Sequence, residues 1–171
     1  MRIRVLLPLL PLLAVVAVVV PVPAAAAPAA PAGGAARWVA PLDGVLDVTR
    51  PFERPRGPYA AGHRGVDLGG SPGLPVLAAG DGVVVFAGMV AGRPVVSIDH
   101  APGLRTTYEP VDASVAAGQA VARGSPIGSL VAGHAGCPRA ACLHWGLRRG
   151  ANYLDPLALV RPVRVRLLPL G

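Results

Sequence analysis

Turn-forming residues cut this chain into short pieces: 22 glycines and 20 prolines stand among its 171 positions. Proline removes a backbone donor and glycine weakens a helix, so their recurrence excludes long helices across the region where they are dense. Between them lie short runs rich in β-branched residues, at Gly82–Phe86, Pro94–Asp99, Leu104–Tyr108, Ala120–Arg123, Ile127–Val131 and Leu143–Leu147. Such runs bounded by Gly and Pro read as strands. Their regular spacing predicts an all-β domain of antiparallel hairpins, folded as a two-sheet sandwich or a partly closed barrel. Asp155–Val160 is the one helix candidate.

The first 27 residues follow a different pattern. Met1-Arg-Ile-Arg4 supplies charge, Val5–Val20 an apolar run, and Ala24–Ala27 small residues, the order of a secretory signal peptide over 1–27. The alternative is an uncleaved membrane anchor, for which a run interrupted by Pro8 and Pro11 is short against a span of about 20 residues. Residues 28–37 are an Ala/Pro/Gly stretch without hydrophobic periodicity and read as a linker. An ordered domain is expected over 38–162, with 163–171 as a C-terminal tail. The expected destination is outside the cell.

Removing the signal takes Arg2 and Arg4 from the sixteen basic residues and leaves fourteen against nine acidic ones. The positive charge rests wholly on arginine, since the chain has no lysine. An exported basic chain suits an anionic cell wall. Nucleic acid is not an expected partner: the arginines are scattered, aromatic residues are few, and no binding motif accompanies them.

Two segments carry chemistry. His63-Arg-Gly-Val-Asp67 offers an imidazole and a carboxylate, and Cys142-Leu-His144-Trp145 offers a second imidazole. Zinc in hydrolytic enzymes is commonly held by two imidazoles and one carboxylate, with a fourth position open for water. Gly65 argues against a helical turn between His63 and Asp67 and suits a strand or loop. On a strand, His144 shares a face with Cys142 and Gly146, while Leu143 and Trp145 point the other way into apolar packing.

His63-x-x-x-Asp67, Pro75-Val-Leu-Ala-Ala-Gly-Asp-Gly-Val-Val84, Asp99-His100 with Gly103-Leu-x-Thr-x-Tyr108, and Leu143-His144-Trp145 together resemble the lysostaphin/LytM-type zinc metallopeptidases. The resemblance runs from about His63 to about Leu157 and rests on several motifs in the same order and spacing. It implies a β-rich peptidase domain with a groove for an extended peptide, acting on the stems or cross-links of peptidoglycan. It also implies zinc held by His63, Asp67 and His144. A monomer is expected.

The chain departs from that family at two positions. Family members usually carry histidines where this sequence has Cys142 and Pro110, and the resemblance assigns both imidazoles to water activation and oxyanion stabilisation. Proline offers no side-chain donor or acceptor. Glu109, beside the missing position, and His134, in the Gly-rich loop before Cys142, are the candidate catalytic replacements. Strand alternation turns Glu109 away from the side that Pro110 occupies. His100, in its Asp-His turn, is expected to support structure.

Cys137 and Cys142 are the chain's only cysteines, and in an exported protein they are expected to form a disulfide closing a small loop. The rival is Cys142 as a thiolate fourth ligand, which would close the zinc site. Two functions follow. One is a secreted zinc metalloendopeptidase that hydrolyses peptidoglycan peptides; the other is a member without turnover that binds peptidoglycan or activates a partner hydrolase.

Overall fold

The computed structural model describes residues 37–57 and 59–161; the expected signal peptide (1–27), the linker up to residue 36 and the tail (163–171) lie outside the described residues. The described chain forms strands β1 (Val48–Arg50), β2 (Gly65–Gly70), β3 (Pro75–Leu77), β4 (Gly82–Val90), β5 (Arg93–His100), β6 (Leu104–Glu109), β7 (Val111–Ala113), β8 (Ala120–Val121), β9 (Pro126–Leu130), β10 (Ala141–Arg149) and β11 (Asn152–Leu154). The expected helix is a single 3-10 turn, Pro156–Leu159, capped by the Asp155 carboxylate, which accepts the Leu157 N–H at 3.0 Å. The six runs read from the sequence all coincide with strands, the Ala120–Arg123 run only in its first half.

Every strand pairing is antiparallel, and the larger sheet has the order β1-β2-β10-β6-β5-β4-β8, with β11 also paired to β10. A second sheet has the order β3-β9-β7. The two-sheet expectation holds. The barrel alternative does not: among the described residues β1 and β8 end the larger sheet without pairing to each other, so it stays open. Local chemistry sets the hairpins. Between β4 and β5 the two-residue turn Ala91-Gly92 has φ of 49° and 80°, the doubly positive conformation whose twist matches that of the flanking strands.

Strand alternation divides the larger sheet into two faces. Toward the second sheet it sends Val66 and Leu68 of β2, Leu143 and Trp145 of β10, Tyr108 of β6, and Val96 and Ile98 of β5, all fully buried. Val76 of β3, Val111 of β7 and Ile127 and Leu130 of β9 close the same cluster from the opposing sheet. Trp145 and Tyr108 stand directly opposite each other across β10 and β6. Aromatic side chains bury about 150–250 Å² each, so at ~25 cal/mol/Å² each contributes about 4–6 kcal/mol of transfer free energy. The polar tip of Tyr108 is satisfied inside: its hydroxyl lies 2.9 Å from the Ala79 N–H and 2.9 Å from the Thr106 hydroxyl. Burial pushes that phenol up to about 12.

His100 belongs to this interior. Its Nδ1 donates to the Asp81 carbonyl at 2.8 Å, its Nε2 lies 2.7 Å from the Thr106 hydroxyl, and Trp38 packs edge-on against its ring. It supports the β4–β6 corner and does not reach the chemistry-bearing face. Burial opposes charging of the ring and outweighs the Asp81 carbonyl and Asp99 carboxylate that favour it, so its pKa lies below the ordinary histidine value. The unfolded chain therefore binds the proton more readily than the folded one. The His100 contribution to stability is complete above the ordinary histidine pKa of about 6.5 and declines as pH falls below it. Denaturant midpoints measured at about pH 7.5 and about pH 5 should drop at the lower pH, and the drop should be smaller in His100→Gln; an equal drop in both proteins would remove His100 as its source.

Candidate metal centre

The outward face of the same strands carries the site. β10 lies between β2 and β6, and its register places His144 opposite Asp67 on one side and opposite Glu109 on the other. Asp67, His144 and Glu109 thus form a row on one face. His63 enters from the residue pair before β2: its backbone is clamped by an isolated bridge to Glu53, whose N–H and carbonyl bond the His63 carbonyl and N–H at 3.0 and 2.8 Å.

Three donor atoms converge. His63 Nε2 lies 3.0 Å from Asp67 Oδ1 and 3.0 Å from His144 Nδ1, and His144 Nδ1 lies 2.9 Å from Asp67 Oδ1. His63 and Asp67 are buried, and the half-buried His144 lines a cleft. The His63 tautomer is fixed from behind. A carbonyl only accepts, so the 2.7 Å contact with Pro51 O requires a proton on Nδ1. In the neutral ring this leaves the Nε2 lone pair facing a carboxylate oxygen and a second imidazole nitrogen. Lone pairs brought this close need a proton or a cation between them. Burial works against the Asp67 carboxylate, but the His144 hydrogen bond and the charges of His63, His134 and His144 hold its carboxyl below the usual aspartate range.

Glycine makes room for the cluster. A Cβ on Gly65 would stand 2.4 Å from the Trp145 carbonyl oxygen and 2.8 Å from His144 Nε2, so the imidazole can lie flat over β2 only because position 65 has no side chain. Across β10, Gly146 leaves the floor beside His144 equally bare.

The other sequence candidates fall near the cluster. His134 does approach it: its Nε2 lies 3.5 Å from Asp67 Oδ1, and its ring stacks on that of His144 with centroids 6.1 Å apart and planes 20° apart. Its Nδ1 donates to the Ala135 carbonyl at 3.0 Å, which leaves Nε2 turned toward Asp67. The expectation that Glu109 turns away from the site is corrected. β6 ends at Glu109, in register with His144, so its carboxylate shares the cleft. There it pairs with Arg93 at 2.8 Å. Tyr153 of β11 also lines the cleft, whereas Trp145 and Tyr108 are core.

Cys137 and Cys142 are joined as a disulfide. This overturns the alternative of Cys142 as a fourth ligand, because a sulfur in an S–S bond is no thiolate. The bond instead ties the loop that bears His134 to the strand that bears His144. An Arg139–Asp47 ion pair at 2.7 Å holds the same loop toward β1, and Gly69 leaves space for it: a Cβ there would meet Asp47 Oδ2 at 2.5 Å.

The sequence profile of Peptidase family M23 matches residues 61–156, the span that holds His63, Asp67 and His144. The chain belongs to peptidase family M23. The likeness to lysostaphin/LytM-type enzymes drawn from the residue pattern is thereby borne out. The Mycobacterium tuberculosis protein Rv2891, described as uncharacterized, is 54% identical over 135 residues, covering 77% of this chain and 54% of that protein. The chain thus spans about half the length of this relative. The DD-carboxypeptidase/endopeptidase Mpg of Neisseria gonorrhoeae is 33% identical over 101 residues, covering 58% of this chain and 23% of that protein. Among solved structures, a zinc-containing peptidase from Vibrio cholerae superposes with a TM-score of 0.56 at 27% identity, covering 67% of this chain and 37% of that one.

Two outcomes are expected from this geometry. Alkylation of the unreduced protein followed by mass spectrometry should label neither cysteine; two labelled thiols would contradict the disulfide. Gly65→Ala should lower stability by about 1–3 kcal/mol, the range for overpacking, as read from the denaturant midpoint.

Proposed function

We propose that this chain is an exported zinc metallopeptidase that hydrolyses peptide bonds in peptidoglycan. The observation that carries the proposal is the convergence of His63 Nε2, Asp67 Oδ1 and His144 Nδ1 to 2.9–3.0 Å from one another, beside the cleft that His144 lines. The set fits zinc. Ligand atoms around a tetrahedral zinc stand about 3.3 Å apart, given bonds of about 2.0–2.1 Å, so the three donors need only spread slightly. Two imidazoles and one carboxylate also match the donor types of hydrolytic zinc, and the Pro51 carbonyl supplies the outer hydrogen bond that such a His requires. Zinc in this set supplies Lewis-acid polarisation of a scissile carbonyl and acidifies a water.

The chain's own residues do the remaining work. Asp67 neutralises charge at the centre, its Oδ1 standing 2.9 Å from His144 Nδ1. Gly65 lets the His144 ring lie over β2, and Gly146 leaves the cleft floor bare for a peptide backbone. His134 presents Nε2 within 3.5 Å of Asp67 and is the imidazole positioned to take and return a proton. Glu109 is engaged by Arg93 and acts as a wall of the cleft. Peptidoglycan as substrate is supported by the family and by the likeness to the DD-carboxypeptidase/endopeptidase Mpg. Export is supported by the residue pattern of 1–27 and by the disulfide, which persists in oxidising surroundings.

A second reading has its own observation. The positions where the family usually carries histidines hold Pro110 and the disulfide-bonded Cys142, so a protein that keeps cleft and metal for binding peptidoglycan, or for engaging a hydrolase, fits the same fold. Digestion of purified peptidoglycan with and without one equivalent of zinc separates the two. The peptidase reading expects zinc-dependent release of amino groups that His63→Ala abolishes; zinc binding without release favours the binder or activator. His144→Ala should lose stoichiometric zinc. His134→Ala should keep zinc while turnover falls by about 10²–10⁴, the usual range for a lost general acid or base.

A further inference from the structure

The cleft beside the centre is lined with guanidinium groups. It encloses about 220 Å³ and runs from Glu109 and His144 over a floor of Thr107 and Gly146 to Arg64, Arg105 and Arg148. We propose that Arg64, Arg105 and Arg148 form an anion subsite that takes a peptide carboxylate and anchors an extended peptide across the centre. The proposal deepens the peptidase reading and rests on it for the bond cleaved.

Cross-strand register carries the inference. Arg148 of β10 stands directly opposite Arg105 of β6 on the outward face, and like charges so placed destabilise a sheet unless something compensates them. Within the protein a single carboxylate, Asp99, serves both guanidinium groups: it is forked by Arg105 and lies within electrostatic reach of Arg148. Arg105 donates through two nitrogens to both carboxylate oxygens of Asp99, its neighbour on β5. Arg148 bonds the Gly150 carbonyl at 3.2 Å, and among the described residues no carboxylate forms an ion pair with it. Glu109, the carboxylate at the other end of the cleft, is paired with Arg93. Arg64 adds a third positive group from the β2 side, its guanidinium lying over the Tyr153 ring at 5.4 Å. The cleft is therefore positive at one end and balanced at the other.

The geometry suits a carboxylate rather than a diffuse anion cloud. Guanidinium forks bind carboxylates with paired hydrogen bonds, and the half-buried walls limit screening by salt. Distance fits a peptide. His144 and Arg148 are four residues apart on one strand face, about 13 Å at ~3.3 Å per residue. A carboxylate held by Arg148 thus lies within about four extended residues of a carbonyl at the centre. That carboxylate is either the peptide's terminal group or a side-chain acid.

The test titrates the full chain, metal-free and with one equivalent of zinc, with three probes: an acetylated alanine tripeptide acid, its C-terminal amide, and the amide with an internal glutamate. Calorimetry at low salt should give the tripeptide acid, the glutamate peptide or both at least about tenfold tighter binding than the plain amide, the scale of one charge-assisted hydrogen bond. Preference for the tripeptide acid identifies the terminal carboxylate, and preference for the glutamate peptide the side chain. Arg148→Gln should erase the preference while chelator competition shows unchanged zinc affinity; Arg148→Lys, which keeps charge but not the fork, should restore it in part. Equal binding of all three probes, or a preference intact in Arg148→Gln and in Arg64→Gln, overturns the subsite. Failure to bind zinc with the preference intact overturns the metallopeptidase reading and leaves the subsite standing.

Discussion

One strand holds core and site together. β10 lies between β2 and β6, and its alternation sends Leu143, Trp145 and Leu147 inward and Cys142, His144 and Gly146 outward. Burial of Trp145 against Tyr108 is worth several kcal/mol, about 4–6 by area, and it fixes the register against both neighbours. Once that register is set, His144 must stand beside Asp67 and Glu109. The chemistry-bearing face is a by-product of packing the opposite one, and no separate device is needed to bring Asp67 and His144 together across 77 residues of chain.

Much of this was legible in the residues. The runs at 82–86, 94–99, 104–108, 127–131 and 143–147 carry enough β-branched side chains to announce themselves, and the His63-x-x-x-Asp67 spacing with His144 pointed to one donor set. The strand that delivers Asp67 was harder. Gly65-Val-Asp-Leu-Gly-Gly70 has three glycines and alternates through only two apolar residues, Val66 and Leu68, because its outward positions must be small or ligating and its neighbour supplies the bulk. β1, β3, β7 and β11 have only three residues each, below the length at which a period of two can be seen. Alternation counted from Pro110 puts Glu109 on the wrong face; β6 stops at Glu109, so the face is set by pairing with His144. The cleft of arginines has no signal in sequence at all, since Arg64, Arg105 and Arg148 come from separate segments and meet only through register.

The loop from Ala132 to Ala140 shows how a site can change while its scaffold persists. Where the family usually places histidine, Cys142 instead bonds Cys137, and the tether brings His134 of the same loop against the His144 ring. An imidazole from a loop thus stands near where one from a strand would have been. The exchange trades positional rigidity for a covalent restraint: a strand residue is held by ladder hydrogen bonds on both sides, whereas His134 depends on its cross-link and the exposed Arg139–Asp47 pair, and exposed pairs contribute about 1 kcal/mol or less.

The two faces of β10 also tie the donor set to folding. A slip of β10 by one residue would put Trp145 into water and His144 into the apolar interior, so no misregistered form can keep half of the arrangement. The donor triangle therefore exists only when the core is fully assembled. Any ion that occupies it draws the equilibrium toward the native register by mass action, adding about 2.7 kcal/mol when its free concentration is 100 times its dissociation constant. With an ion bound there, apparent cation affinity and conformational stability would be two measures of one event, and a weakened core far from His144 would present itself as a weakened ligand set.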